Sequence, residues 1–318
     1  MGLVPKGASF PVGTPVWGTD YNAAYSLLLR WWGLLEAPAS VDVTPFWEDL
    51  VDTEFSVATP DLCVDDARSA AASVDALRAK GERSYQLGFD DLHLGWIAEN
   101  LFQLDARSIE QHHAPDGGTT TRHCSCRAVL HKRPDGRLVF RRIDGAIESD
   151  EPETPFVSRY ALNRAKATMV QFQTHTDLLT GDAAPMRELL MPALELNGLV
   201  NSKADETKAG SETFKDVRNL RESISKSERR QDNVIRTYAE FSDWFASCAG
   251  LFKKDGFHKL EKFAVTLLAD DRYEVVAQFH WQAETINGVK IELHHPLTWI
   301  LAETGDKYMR IEKLLPFG

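Results

Sequence analysis

The sequence has 318 residues, of which 43% are hydrophobic and 26% are charged, so it can bury one large core or two ordinary ones. Its formal net charge of -11 disfavours non-specific binding to nucleic acid, and apolar clusters such as 265–269 are far too short to cross a bilayer. We therefore expect a soluble globular protein that binds neither nucleic acid nor membrane.

The first twenty residues contain Pro and Gly but lack the apolar segment of a signal peptide. We expect an irregular arm over 1–20 and a cytoplasmic location. The four cysteines, Cys63, Cys124, Cys126 and Cys248, are then most simply reduced.

Helical patterns occur twice in the same order. Apolar residues recur at helical spacing over 22–37 and again over 156–179. Each helix is followed by a short amphipathic piece, at 44–57 and at 182–198, and then by a third helix, at 64–81 and at 237–256. The recurrence predicts a duplicated plan.

Strand patterns follow the helices in both halves. The first half gives strand-like segments over 93–113 and 119–147, and the second gives them over 262–285 and 288–317. The last hairpin of each half has the residues of a tight turn, Asp135-Gly136 in one and Gly305-Asp306 in the other. Each half is therefore predicted to end in an antiparallel meander.

The predicted organisation is an N-terminal arm at 1–20, a first domain at 21–150 and a second domain at 151–318. An acidic, Pro-containing stretch at 148–155 places the boundary near residue 152. The second domain carries a highly charged insertion at 201–233, predicted to be a loop or an exposed helix.

Three helices followed by a meander, repeated along the chain, resembles the nuclear transport factor 2-like superfamily, which includes ketosteroid isomerases, scytalone dehydratases and SnoaL-like cyclases. The resemblance implies an α+β fold of two tandem cone-shaped domains, each with three helices packed in a strongly curved antiparallel sheet. It also implies an apolar pocket at the open end of each cone. Sheets would pair either between the two domains or in a homodimer.

Histidines carry the resemblance at the site. Scytalone dehydratase-like members keep one catalytic His just after the third helix and a second on the following strands. His93 fits the first place, and His112 and His113 fit the second. Their Tyr-Asp pair at the end of the first helix is missing here, where the two halves have Leu34-Leu35-Glu36 and Leu178-Leu179.

Strand geometry allows only one of the two adjacent histidines to face a pocket, because successive side chains point to opposite sides. Ile109 shares the side of His113, whereas Glu110 shares the side of His112 and is expected to prefer water. We therefore predict His93 and His113 as the acid/base pair. Candidate orienting groups are Tyr85, Asp52 and His123.

A metal or a cofactor is not expected. His123, Cys124 and Cys126 are soft ligands, but strand alternation separates His123 from the two cysteines, and paired Cys-x-x-Cys ligands are missing from the sequence. An open three-His metal site and a nucleophilic cysteine are less favoured alternatives. The sequence has no Gly-rich phosphate loop, G-x-S-x-G elbow or H-E-x-x-H helix.

An imidazole titrates near neutrality and suits proton transfer in an apolar pocket. The leading hypothesis is a cofactor-independent lyase or isomerase that acts by general acid/base catalysis on a hydrophobic, aromatic or polycyclic small molecule. Dehydration, aldol-type cyclisation or cleavage and double-bond migration all fit. The alternative is a non-catalytic protein that binds small molecules or docks partners, which the charged insertion would serve.

Overall fold

A computed structural model describes residues 14–16, 18–37, 39–81, 83–151, 156–197, 234–253, 256–305 and 308–315. Most of the predicted arm and all of the charged insertion at 201–233 lie outside the described residues. By its internal contacts the chain divides into two compact units, Met1–Asn163 and Arg164–Gly318. This division falls within a helix that begins after the boundary predicted near residue 152.

The first unit contains three complete α-helices and one seven-stranded sheet among its described residues. The helices are α1 (Thr19–Glu36), α2 (Thr44–Leu50) and α3 (Ala67–Ala79). The strands are β1 (Thr14–Pro15), β2 (Val51–Ala58), β3 (Cys63–Val64), β4 (Arg83–Ala98), β5 (Leu101–His113), β6 (Thr119–Lys132) and β7 (Leu138–Glu151).

The sheet of the first unit has the order β1-β4-β5-β6-β7-β2-β3. Strands β4 to β7 form the predicted antiparallel meander, and the predicted turn is confirmed at Gly136, which has a φ of 89°. Strand β2 pairs parallel with β7, which makes the sheet mixed where only antiparallel pairing was expected. The parallel pair arises because the segment predicted as amphipathic over 44–57 is helical only as far as Leu50.

The core of the first unit lies between the helices and one face of this sheet. Trp31 of α1 packs edge-on against Trp47 and Phe140, with ring centroids 5.7 and 5.9 Å away. From β5, Phe102, Leu104 and other alternate residues point into the same core. This face of the sheet continues beyond the core toward the C-terminal end of β5.

The second unit repeats the plan with fewer elements. Its helices are α4 (Phe156–Leu178), which begins in the first unit, and α5 (Tyr238–Ala249). A 3-10 helix at Ala184–Leu189 stands where the second amphipathic piece was predicted. Its strands are β8 (Leu190–Leu196), β9 (Phe257–Leu267), β10 (Arg272–Glu284), β11 (Lys290–Ala302) and β12 (Arg310–Leu314).

The second sheet has the order β8-β12-β11-β10-β9, and β8 again pairs parallel with the last strand. Helix α5 begins with a capping box between Thr237 and Glu240, which satisfies backbone N–H groups that the first helical turn leaves free. Phe241 and Phe245 stack one turn apart on its buried face.

Helices and one sheet occur in each of the two units, which confirms the predicted α+β architecture with two sheets.

Among the described residues, no helix has both the length and the apolar character needed to cross a membrane.

Candidate functional site

A cavity opens on the inner face of the first sheet. Its mouth is open to solvent. Helices α1 and α3 and the loop after β2 supply an apolar wall that includes Trp31, Trp32, Leu35, Leu62, Val74 and Leu77. A cavity with such a wall suits a hydrophobic organic ligand.

The opposite wall carries polar side chains from two neighbouring strands. Strand β5 contributes Ser108, Glu110 and His112, and β6 contributes Arg122, Cys124 and Cys126. The register places Ser108 opposite Cys124 and Glu110 opposite Arg122. Alternation along each strand therefore groups these six side chains on one face.

Glu110 is the acid among these six residues, and only 5% of its surface is exposed. Its Oε1 accepts a hydrogen bond of 3.0 Å from the Ser108 hydroxyl, and the Cys124 thiol donates another. Burial raises the pKa of Glu110 to about 7, against these hydrogen bonds and the positive charge of Arg122, which both lower it. Glu110 can therefore give or take a proton near neutral pH.

Two basic side chains lie beside Glu110. His112 follows it by two residues on the same face, about 7 Å along the strand, and its Nδ1 lies 3.3 Å from the Ser84 hydroxyl. Among the described residues, Arg122 makes long ion pairs, with Nη1 3.6 Å from Asp61 Oδ2 and Nε 3.9 Å from Asp150 Oδ1. A positive charge opposite Glu110 is suited to an oxygen that becomes negative during a reaction.

The two cavity cysteines are thiols at neutral pH. Burial, with the nearby Glu110 charge, raises the pKa of Cys126 to about 12 and also raises the pKa of Cys124. Because the thiolate is the nucleophilic and metal-binding form, this environment disfavours both alternatives considered for these residues. Cys124 and Cys126 line the cavity and His123 does not, which confirms the prediction that the strand separates His123 from the two cysteines.

The structure corrects the prediction that His113 faces the pocket, because His112 lines the cavity. His113 lies on the opposite face of β5 with its Nε2 2.8 Å from Gln111 Oε1. Burial and the charges of His112 and Arg83 lower the pKa of His113. Tyr85 contacts the His113 ring edge-on, with centroids 4.7 Å apart, so these two predicted residues do meet, outside the cavity.

His93 and His113 do not share a site. Strand β4 begins at Arg83, so His93 lies in the middle of a long strand and not just after the third helix. Its register partner is Asp105, whereas that of His113 on β4 is Arg83. Ten residues of strand separate the two positions by about 30 Å. His93 is also exposed.

The two remaining predicted residues lie elsewhere as well. His123 is opposite Ile109 and therefore shares the face of His113. Asp52 Oδ2 lies 2.8 Å from His131 Nδ1. Burial raises the pKa of Asp52, but hydrogen bonds from His131 and Thr53 outweigh it and hold this pKa below its usual range. Of the five predicted site residues, all within the described chain, none lines the cavity.

Sequence reasoning missed Glu110, although a signal for it exists. Phe102, Leu104 and Ala106 are the apolar, core-facing residues of β5, and the same alternation continued toward its C-terminal end reaches Ser108, Glu110 and His112. The pairing of β5 with β6 has no register shift over this length. The prediction took the apolar Ile109 as the mark of the pocket face and the charged Glu110 as the mark of the solvent face. Ile109 is indeed buried, but on the face of β5 opposite the cavity.

The second unit has a buried acid of a different kind. Asp177, near the end of α4, accepts hydrogen bonds from the backbone N–H of His258 at 3.0 Å and pairs with His258 Nδ1 at 2.6 Å. The His258 ring stacks on Trp281 at a centroid distance of 5.4 Å. These contacts join the first strand of the second meander to the helix that precedes it.

Comparison with solved structures yields proteins that each match about half of this chain. A ketosteroid isomerase-like protein from Erwinia carotovora atroseptica is 10% identical over 40% of this chain and 92% of its own, with a TM-score of 0.33. A protein with a cystatin-like fold from Caulobacter vibrioides is 14% identical over 42% and 90%, with a TM-score of 0.33.

A third structure is a nuclear transport factor 2-like protein with a cystatin-like fold from Novosphingobium aromaticivorans, 17% identical over 41% of this chain and 79% of its own, with a TM-score of 0.28. The sequence matches no family model and no curated protein. At these identities and TM-scores the similarity transfers neither a family nor an activity to this chain.

Proposed function

We propose that the first unit is a cofactor-independent lyase or isomerase that acts on a hydrophobic carbonyl compound. The observation that supports this function is a buried carboxyl, Glu110, with a pKa of about 7 in an otherwise largely apolar cavity. A carboxylate in such a place is a stronger base than one in water, since burial disfavours its charge.

Glu110 would remove a proton from the carbon next to the substrate carbonyl, and the electron pair of that C–H bond would move to the carbonyl oxygen. Arg122 would stabilise the resulting enolate. In an isomerisation, the protonated Glu110 returns the proton to a different carbon. In a dehydration, the enolate expels a β-hydroxyl group, and His112 supplies the proton that converts it into water.

The direct test is exchange of carbon-bound hydrogen for deuterium, followed by NMR in D2O with 2-tetralone as a probe. We expect the chain to accelerate loss of the α-proton signal, with a rate that rises with pH through about 7 as the Glu110 carboxylate forms. Glu110→Gln should reduce this acceleration by about 10²–10⁴-fold.

Glu99→Gln is the matched control, because Glu99 is an exposed acid at a hairpin of the same unit. Its exchange rate should equal that of the unmodified chain. Quenching of Trp31 and Trp32 fluorescence by the same probe measures binding separately. Binding without exchange would support the alternative, a small-molecule-binding protein, and equal exchange by Glu110→Gln would remove Glu110 from the mechanism.

A further inference from the structure

A cluster of metal-binding side chains lies on the second sheet, outside the proposed catalytic unit. Glu261 of β9, His280 of β10 and His294 of β11 each offer one ligand atom, and these atoms all lie within 4.8 Å of one another. They occupy the face of the sheet that carries the exposed Val276, opposite the face with the buried Val275, Ala277 and Phe279.

Strand pairing brings the two histidines together. His280 and His294 are direct register partners on neighbouring antiparallel strands. Their rings lie nearly parallel, at 10°, with centroids 4.1 Å apart. Because both side chains leave opposite positions of a rigid ladder, the main chain holds this pair of imidazoles close before any ligand binds.

A strand irregularity brings in the carboxylate. Gln278 pairs with Lys262 and Phe279 pairs with Leu260, so Glu261 is the extra residue of a bulge. Bulges redirect side chains, and here Glu261 Oε2 lies 3.0 Å from His294 Nδ1. A regular strand would not place an acid at this point of the ladder.

A fourth polar group completes the surroundings. Glu292 Oε1 lies 2.9 Å from His280 Nε2 and 3.3 Å from the side-chain amide of Gln282. Two carboxylates thus adjoin the imidazole pair, while Lys259, opposite His280, contributes a nearby positive charge. Carboxylates that contact ligating histidines orient the rings and favour a cation.

We propose that Glu261, His280 and His294 form a binding site for one divalent transition-metal ion of the zinc type. Two imidazoles and one carboxylate are ligands that Zn²⁺, Co²⁺ and Ni²⁺ accept, and water would fill the remaining position. Ligand atoms around tetrahedral zinc lie about 3.3 Å apart, so metal binding requires side-chain rotation that brings the present separations of up to 4.8 Å to this value. The acid/base reaction proposed for the first unit is independent of this site.

The test is calorimetric titration of the untagged full chain with ZnCl2, with CoCl2 absorption as a second readout of tetrahedral coordination. One equivalent should bind per chain. His280→Ala, His294→Ala and Glu261→Gln should each weaken binding by at least about tenfold. His93→Ala is the matched control, since it removes an exposed histidine from the first unit and should bind as the unmodified chain does.

Thermal unfolding without metal checks that each variant is folded. Zinc should raise the unfolding temperature of the unmodified chain and of His93→Ala, and it should do so less in the three cluster variants. The proposal is overturned if zinc does not bind at a one-to-one ratio, or if His280→Ala and His294→Ala bind zinc as tightly as His93→Ala does.

Discussion

The two units each bury an acid, and they treat it in opposite ways. Glu110 lies in a cavity wall, and the loss of water raises its pKa to about 7 in spite of its hydrogen bonds. Asp177 lies between a helix and a strand, where a backbone N–H and an imidazole of His258 contact both of its oxygens. Similar burial therefore has two outcomes: one carboxyl lies in a cavity wall with a raised pKa, and the other is held by hydrogen bonds between a helix and a strand.

The largest effect should come from removal of the structural acid. Asp177→Ala leaves the backbone N–H and the imidazole of His258 without their buried acceptor, so we expect the free energy of unfolding to fall by about 3–5 kcal/mol. Urea denaturation measures this loss. Asp177→Asn keeps an oxygen acceptor and should lose less; equal stability of Asp177→Ala and the unmodified chain would refute the structural role.

Replacement of Glu110, the acid of the cavity wall, should change the free energy of unfolding in the opposite direction. The pKa of Glu110 is about 7 in the folded state and its ordinary value is 4.5. Its raised pKa therefore does not lower the free energy of unfolding at pH 4, where the carboxyl is protonated in both states, and lowers it most at pH 8. Glu110→Gln removes the charge and should raise the free energy of unfolding at pH 8 by up to about 3 kcal/mol.

The pH dependence of that gain separates it from a packing effect. The difference between Glu110→Gln and the unmodified chain should shrink as pH falls from 8 to 4, which denaturation at several pH values measures. A difference that stays constant over this range would mean that Glu110 titrates normally, and the contrast with Asp177 would then fail.

The smallest effect is expected at Asp52, whose partner His131 is partly exposed. Asp52→Asn should lower the free energy of unfolding at pH 7 by less than about 1 kcal/mol. Because the folded-state pKa of Asp52 is lowered, this contribution is present above its ordinary value of 3.8 and disappears as pH falls below it. Proton exchange with 2-tetralone should be unchanged, and a large loss of exchange would return Asp52 to the candidate site.

Much of the fold was predictable because local patterns agree with the tertiary structure. The apolar spacing of α1 and α4 and the Asp135-Gly136 turn each specify their element through neighbouring residues alone. The prediction of a short amphipathic segment over 44–57 was wrong in part, since Thr44–Leu50 is helical but Val51–Ala58 joins the sheet. That strand forms because β7 offers it an edge, and the edge is set by residues almost ninety positions later.

The sequence by itself determined the duplicated order of helices and strands, the turns, and the alternation that separates His112 from His113. Only the tertiary structure decided which face of β5 closes over a cavity, because that depends on where α1 and α3 pack. It likewise decided that His280, His294 and Glu261 meet, through strand register and a bulge. Period and propensity act between neighbours, whereas burial, and with it the pKa of Glu110, is a property of the folded chain.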